Sequence, residues 1–186
     1  MVFSSLIFIC IFLPAVLLLY NLSRNMTYKN IVLVIFSVIF YAWGEPVWVL
    51  ALIFSALVDY FNGRAIGRFP KYKKVFLLCS LIVNLGLLGI FKYSGFVVEN
   101  INALLGINIP FYGFSLPLGI SFYTFQTMSY TIDVYRGEVK VQKSFIKFMA
   151  YVSMFPQLVA GPIVRYIDIE GQIDDRHVSQ EDFEAG

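Results

Sequence analysis

Leu116-Pro-Leu-Gly-Ile-Ser-Phe-Tyr-Thr-Phe-Gln-Thr-Met-Ser-Tyr-Thr-Ile-Asp-Val-Tyr-Arg-Gly-Glu138 is the stretch whose reading decides the fold. Counted from Ser115 to Tyr135, and at about 1.5 Å per residue, it is long enough for a helix to cross a hydrocarbon core of about 30 Å. At about 100° per residue, Phe122, Gln126, Ser129, Tyr130, Asp133 and Arg136 fall on one side of that helix. An amide, hydroxyls, a carboxylate and a guanidinium in one stripe do not face lipid. Two readings stay open. Either the stripe lines a polar cavity or packs on polar groups of other helices, or Asp133 and Arg136 anchor the helix at the interface as an exposed i,i+3 pair.

The rest of the chain explains why the stretch is read as membrane-spanning. Of 186 residues, 59% are hydrophobic and 14% charged, and the mean hydropathy is +0.74. Soluble domains carry about 25% charged residues. So much apolar side chain would have to coat the surface of a soluble core. A soluble enzyme, a disordered chain, a basic nucleic-acid binder and a disulfide-stapled secreted domain are excluded. The expectation is an all-α polytopic transmembrane protein with short or re-entrant helices, partnered by the lipid bilayer and not by nucleic acid.

Charge then orients the spans. Up to Ile167 the chain carries thirteen Lys and Arg against five Asp and Glu; beyond it there are one Arg and seven acids. Basic residues beside apolar runs mark cytoplasmic loops. Phe3–Tyr20 is a first span, without the basic start or cleavage context of a signal peptide. Arg24 and Lys29 follow it, which puts the N terminus outside. Ile31–Trp43 and Val47–Phe61, broken by Gly44-Glu45-Pro46, form a hairpin. Its arms are only about 20–23 Å long, so the bilayer is thin there or the hairpin stops short of the far side. The next loop, with Arg64, Arg68, Lys71, Lys73 and Lys74, is again inside.

Val75–Phe91 crosses outward, with Asn84, Gly86 and Gly89 suited to close helix packing. Residues 92–113 read as an external loop with short helical pieces. The polar helix returns to Arg136, Lys140, Lys143 and Lys147. Phe148–Ile163, interrupted by Pro156 and by Gly161-Pro162, suits a re-entrant segment and is a candidate site wall. Cys10 and Cys79, inside apolar runs, read as packing residues. Residues 168–186 form an acidic cytoplasmic tail. Within it Ser179-Gln-Glu-Asp182 matches a helix-start capping pattern seven residues before the last one, as expected of a piece of a longer protein. The topology is multi-pass.

No catalytic arrangement can be assembled from these residues alone. His177 is the only histidine; it stands among Asp174, Asp175 and Arg176 and reads as a solvated surface residue. No metal-ligand spacing and no phosphate-cradling loop are present in the sequence.

Two blocks carry a resemblance. The segment from Leu116 to Gln126 followed by Tyr130-Thr-Ile-Asp-Val-Tyr-Arg-Gly137 is similar to the signature of the membrane-bound O-acyltransferase (MBOAT) family, and Phe155-Pro-Gln-Leu-Val-Ala-Gly-Pro-Ile-Val-Arg-Tyr166 resembles the block that follows it. The opening, with Phe40-Tyr-Ala-Trp-Gly-Glu-Pro46, is similar to the bacterial branch that O-acetylates alginate and related exopolysaccharides; a D-alanyl transfer protein of teichoic acid modification is a close relative.

The resemblance implies a partial MBOAT fold, residues 1–186 being the N-terminal part of one membrane domain in the bacterial inner membrane. It implies an acyl, above all acetyl, transfer to exopolysaccharide hydroxyls. Acetyl-CoA or another acyl thioester would be a substrate donor, with no bound cofactor and no metal. Periplasmic or surface acetylation proteins, and an acyl donor protein, are the implied partners. The family's catalytic histidine lies beyond Gly186, so a 186-residue fragment is expected to be inactive. The signature positions carried over are Ser121, Gln126, Asp133, Arg136, Pro156, Gln157, Gly161, Pro162 and Arg165, as funnel wall or helix packing. D-alanyl transfer to teichoic acid and a non-catalytic scaffold or pore-lining subunit are the competing readings.

Overall fold

Apolar residues at helical spacing, punctuated by Gly, Pro and Asn, fold into helices throughout the described chain. The computed structural model describes residues 5–110, 116–161, 164–174 and 176. A π-helical turn, Phe8–Phe12, runs into α1 (Leu13–Asn21). There follow α2 (Met26–Gly44), α3 (Val49–Arg68), a 3-10 turn (Pro70–Tyr72), α4 (Lys73–Leu105), α5 (Ile120–Arg136), α6 (Phe145–Ser153), α7 (Phe155–Ala160) and α8 (Tyr166–Asp174). No strand occurs among the described residues. Three helical stretches, Met26–Gly44, Val49–Arg68 and Pro70–Leu105, are long and apolar enough to cross a membrane, and Phe8–Asn21 is a shorter apolar helix. The chain is an all-α membrane protein.

The hairpin is longer than its apolar letters indicate. The Asn25 side chain caps α2 by accepting from the Thr27 N–H at 2.9 Å, so the helix begins well before Ile31. α3 likewise continues through Asn62 to Arg68. At about 1.5 Å per residue each arm is about 28–30 Å long and matches the hydrocarbon core. The expected shortfall came from counting apolar residues only, whereas polar residues on buried or interfacial turns extend both arms.

The second correction concerns α4, which does not stop at Phe91. It continues without interruption to Leu105, 33 residues in all, and ends at Gly106 with φ 65°. Phe96, Val97, Ile101, Leu104 and Leu105 keep the helical period through the stretch expected to be a loop, and the Asn100 amide donates to the Phe96 carbonyl at 2.6 Å. At about 50 Å this helix exceeds the core thickness. A Cβ added to Gly86 or Gly89 would meet nothing within 4 Å among the described residues. Cys10 and Cys79 are exposed, free thiols on the outer apolar surface and not packing residues.

α3 is the central element. It packs on both α4 and α5, while α2 packs on α6. Buried aromatic rings fill the core between α5, α6 and α8: Tyr130 lies 4.7 Å from Phe148 and 4.9 Å from Tyr166, which lies 5.2 Å from Tyr151. The α3–α5 approach depends on Gly63, where an added Cβ would stand 2.6 Å from a ring carbon of Tyr130. That ring cannot yield, because its hydroxyl accepts from the Gln142 N–H at 3.0 Å. Gly63→Ala is therefore expected to destabilise the bundle by about 1–3 kcal/mol, read as a lowered melting temperature of the detergent-purified full-length protein. An unchanged melt would show that α3 and α5 can move apart freely.

Candidate functional site

α5 carries polar side chains on two flanks, and each meets a different partner. On the flank anticipated from the stripe, the Gln126 amide donates to the Tyr151 carbonyl at 2.9 Å. The Ser129 hydroxyl donates to the Gln126 carbonyl at 2.8 Å and lies 3.3 Å from the Tyr151 hydroxyl. Tyr151 in turn donates to the Val164 carbonyl at 2.9 Å. Helix α5 is thus laced to the broken segment that follows α6. The break itself falls where proline predicts it, at Met154 between α6 and α7, with Pro156 in the first turn of α7.

At the end of α5 the open question about Asp133 is answered. Asp133 is 1% exposed, and its carboxylate pairs with the Arg165 guanidinium and not with Arg136. Arg165 also donates to Glu138 at 2.9 Å. Gly137, at φ 79°, turns the chain out of the helix, and the Glu138 N–H returns to the Asp133 carbonyl at 3.0 Å. That turn brings Glu138 beside Arg165. Asp133 and then Glu138 push the Arg165 pKa further up, so its charge is permanent. Arg136 is exposed and lies 3.8 Å from Glu138, so the exposed Asp133–Arg136 pair of the second reading does not form. The other oxygen of Asp133, Oδ2, is buried and has no hydrogen-bond partner among the described residues.

The remaining signature positions scatter around this seam. Ser121 is half-buried in the first turn of α5, whereas Phe122, placed on the stripe, is exposed. Pro156 is exposed in a groove of about 360 Å³ shared with Leu13, Val16, Leu17 and Phe155. The Gln157 amide nitrogen is buried without a partner among the described residues. A Cβ on Gly161 would stand 2.6 Å from the Gln157 Cα, so the turn after α7 has room for glycine only. Pro162, His177 and the capping pattern at Ser179 lie outside the described residues.

Asn84, expected to serve close helix packing, belongs to a second polar cluster whose centre was not anticipated. Asp59, near the middle of α3, is fully buried. Its Oδ1 accepts from the Ser80 hydroxyl and from Thr131 Oγ1 at 3.2 Å, and its Oδ2 accepts from the Asn84 amide at 2.8 Å. Asn84 accepts from Ser55 Oγ at 2.6 Å, and that hydroxyl lies 3.3 Å from Thr127 Oγ1. Three helices meet on one carboxyl group, and no cation pairs with it among the described residues. The signal was in the sequence: a carboxylate inside an apolar span is itself a pointer to a buried polar site. Thr127 and Thr131, four residues apart, supply the matching face of α5.

Among the described residues no group of His, Cys, Asp and Glu forms a metal site. The two clusters pin helices to one another: the Ser80 and Thr131 hydroxyls are tied to the buried Asp59 carboxyl group, and Asp133 to Arg165.

No family model and no solved structure matches the chain. It is 41% identical, over its whole length, to a Pseudomonas syringae pv. tomato protein named probable alginate O-acetylase AlgI, and 39% identical to the Pseudomonas aeruginosa protein of that name. It is also 30% identical, over 95% of its length, to a Helicobacter pylori protein named peptidoglycan O-acetyltransferase. The chain spans 37–39% of the length of these relatives.

Proposed function

We propose that the chain belongs to the alginate O-acetylase family, of the membrane-bound O-acyltransferase type, and that the protein containing it transfers an acetyl group from a thioester donor to hydroxyls of an exopolysaccharide, alginate first among them. The acceptor oxygen attacks the thioester carbonyl and the C–S bond breaks. The ester keeps the acetyl group, and the departing sulfur takes up a proton equivalent to the one the hydroxyl loses. A histidine general base outside residues 1–186 would accept the hydroxyl proton. The single observation that carries this reading is identity to the acetylases over the whole chain.

Within it, residues 1–186 are part of one membrane domain in the bacterial inner membrane, with the N terminus outside and the basic loops and acidic tail, residues 168–186, inside. Acetyl-CoA is the favoured donor, and periplasmic or surface acetylation proteins the favoured partners. α5 and the broken segment behind it form one wall of the substrate path. Asp133 and Arg165 hold that wall together, and Ser121, Gln126, Arg136, Pro156, Gln157, Gly161 and Pro162 shape it. The peptidoglycan O-acetyltransferase among the relatives keeps the acceptor within one chemical class, polysaccharide hydroxyls.

The test is deletion of the whole reading frame followed by complementation. Acetyl content of the purified exopolysaccharide, measured by proton NMR, is expected to vanish on deletion and return on complementation. Acetylation that persists in the deletion strain would overturn the reading.

A further inference from the structure

A preference for basic residues on the cytoplasmic side accounts for lysines in the loop after α5. It does not account for the way that loop is held. Its backbone and its one amide side chain are tied to three helices. The Tyr60 hydroxyl and the Arg64 guanidinium both donate to the Lys143 carbonyl, at 2.7 and 3.2 Å. The Gln142 N–H donates to Tyr130 and the Gln142 amide to the Tyr166 hydroxyl at 2.8 Å, while the Ser144 N–H returns to Gln142 at 2.9 Å.

So fixed, the loop sets Lys140 and Lys143, with Lys147 from the first turn of α6, around a cleft of about 400 Å³ that Tyr166 and Glu170 also line. A second hollow of about 240 Å³, lined by Arg64 and Gly67, shares Val141 and Lys143 with the first. Four cations and one carboxylate therefore border two joined hollows. Among the described residues no ion pair involves Arg64, Lys140 or Lys143. Like charges held together on a rigid loop repel one another, and an anion relieves that repulsion. The volume is that of a small-molecule site.

We propose that the joined hollows bind phosphate groups, and that the ligand is the nucleotide end of a coenzyme A thioester. This rests on the acyl-transfer reading, because it assigns that reaction's donor to a place on the chain. The loop holds several phosphates at once through point charges. Tyr60, Tyr130 and Tyr166 are positioning residues, because they act through the loop backbone and Gln142.

The test uses the full-length protein in phosphatidylcholine nanodiscs, as wild type, as the Lys140→Glu/Lys143→Glu double variant, and as Lys92→Glu on the far part of α4 as the charge control. Both loop lysines are exposed, so the double variant should fold, and its elution profile checks that. Desulfo-coenzyme A binding, measured by calorimetry, is expected to weaken at least about tenfold in the double variant and not in Lys92→Glu, and to weaken with salt in the wild type. The KM for acetyl-CoA should rise by a similar factor, with kcat within about twofold. The KM for acetyl-pantetheine, which has no phosphate, should not move.

Equal desulfo-coenzyme A affinity in wild type and double variant would overturn the proposal, as would an equal loss with acetyl-pantetheine. Retained coenzyme A affinity with lost binding to phosphatidylglycerol vesicles would also overturn it, assigning the cleft to a lipid headgroup. So would retained coenzyme A affinity with lost binding of an acylated carrier protein. Desulfo-coenzyme A binding needs no turnover. A wild type that transfers no acetyl group would therefore sink the acyl-transfer reading, while the binding result would still decide the cleft.

Discussion

Replacing Asp59 with leucine should lower the stability of the full-length protein by about 2–4 kcal/mol, the largest effect expected of any single substitution within the three long spans. Leucine fills the same space but accepts nothing, and so orphans three donors: the Ser80 hydroxyl, the Asn84 amide and the Thr131 hydroxyl. In water-accessible protein each buried orphan costs about 1–3 kcal/mol. In a bilayer some donors find new partners, so the total falls below the simple sum. Asp59→Asn separates the hydrogen bonds from the charge. An asparagine oxygen can still accept from Ser80 and Thr131. Its amide then faces Asn84, whose own amide can flip to accept from it, because the Ser55 hydroxyl on the other side both donates and accepts, at the loss of the Asn84 bond to the Ser80 carbonyl. The asparagine variant should therefore lose only about 1 kcal/mol. Thermal melts of the detergent-purified protein read both values. A leucine variant that melts with the wild type would mean that the three-helix junction is not held by this carboxyl group.

How legible these features are in the sequence follows from what each kind of residue reports. Apolar runs located the three helices long and apolar enough to cross a membrane, but they did not locate helix ends. Met26 to Asn30 and Asn62 to Arg68 are helical yet polar, so α2 and α3 outran the count of apolar residues. Tyr93 to Leu105 reads as part of a loop because residues 92–113 mix Asn, Gly, Pro and aromatics, although its apolar residues keep the helical period. The stripe on α5 correctly brought Gln126, Tyr130 and Asp133 to one buried side, since spacing of three and four residues is a property of the helix alone. Their partners were not legible. Arg165 reaches Asp133 across thirty-two positions, and only the turn through Gly161 and the packing of α6 and α7 bring it there. Asp59 was legible as an anomaly but not as a junction, because its donors come from helices whose mutual rotation no local pattern encodes.

On the proposed acyl-transfer reading, Arg165→Ala should abolish most of the acetyl transfer by the full-length protein, a loss of at least about tenfold, while the protein still inserts and accumulates. Asp133 is buried, and Arg165 supplies the only cation paired with it among the described residues. Removing Arg165 leaves a buried carboxylate whose Oδ2 is already without a partner. Such a group either takes up a proton or draws in water, and both break the tie between α5 and the segment after Gly161. The effect on activity should exceed the effect on folding, since Tyr151 still fastens α5 to that segment through its contacts with Ser129 and Val164. Both contacts of Arg165 run through one guanidinium nitrogen, Nη2; Arg165→Lys keeps a single charged nitrogen but on a shorter stem, so an intermediate loss is expected. Asp133→Asn removes the buried charge along with its tie to Arg165. If the pair acts as one unit, Asp133→Asn combined with Arg165→Ala should be no worse than the more damaging single variant. Exopolysaccharide acetyl content in complemented cells, normalised to membrane protein level, measures all four. Fully additive losses, or an Arg165→Ala variant with wild-type acetylation, would show that the ion pair does not hold the substrate wall.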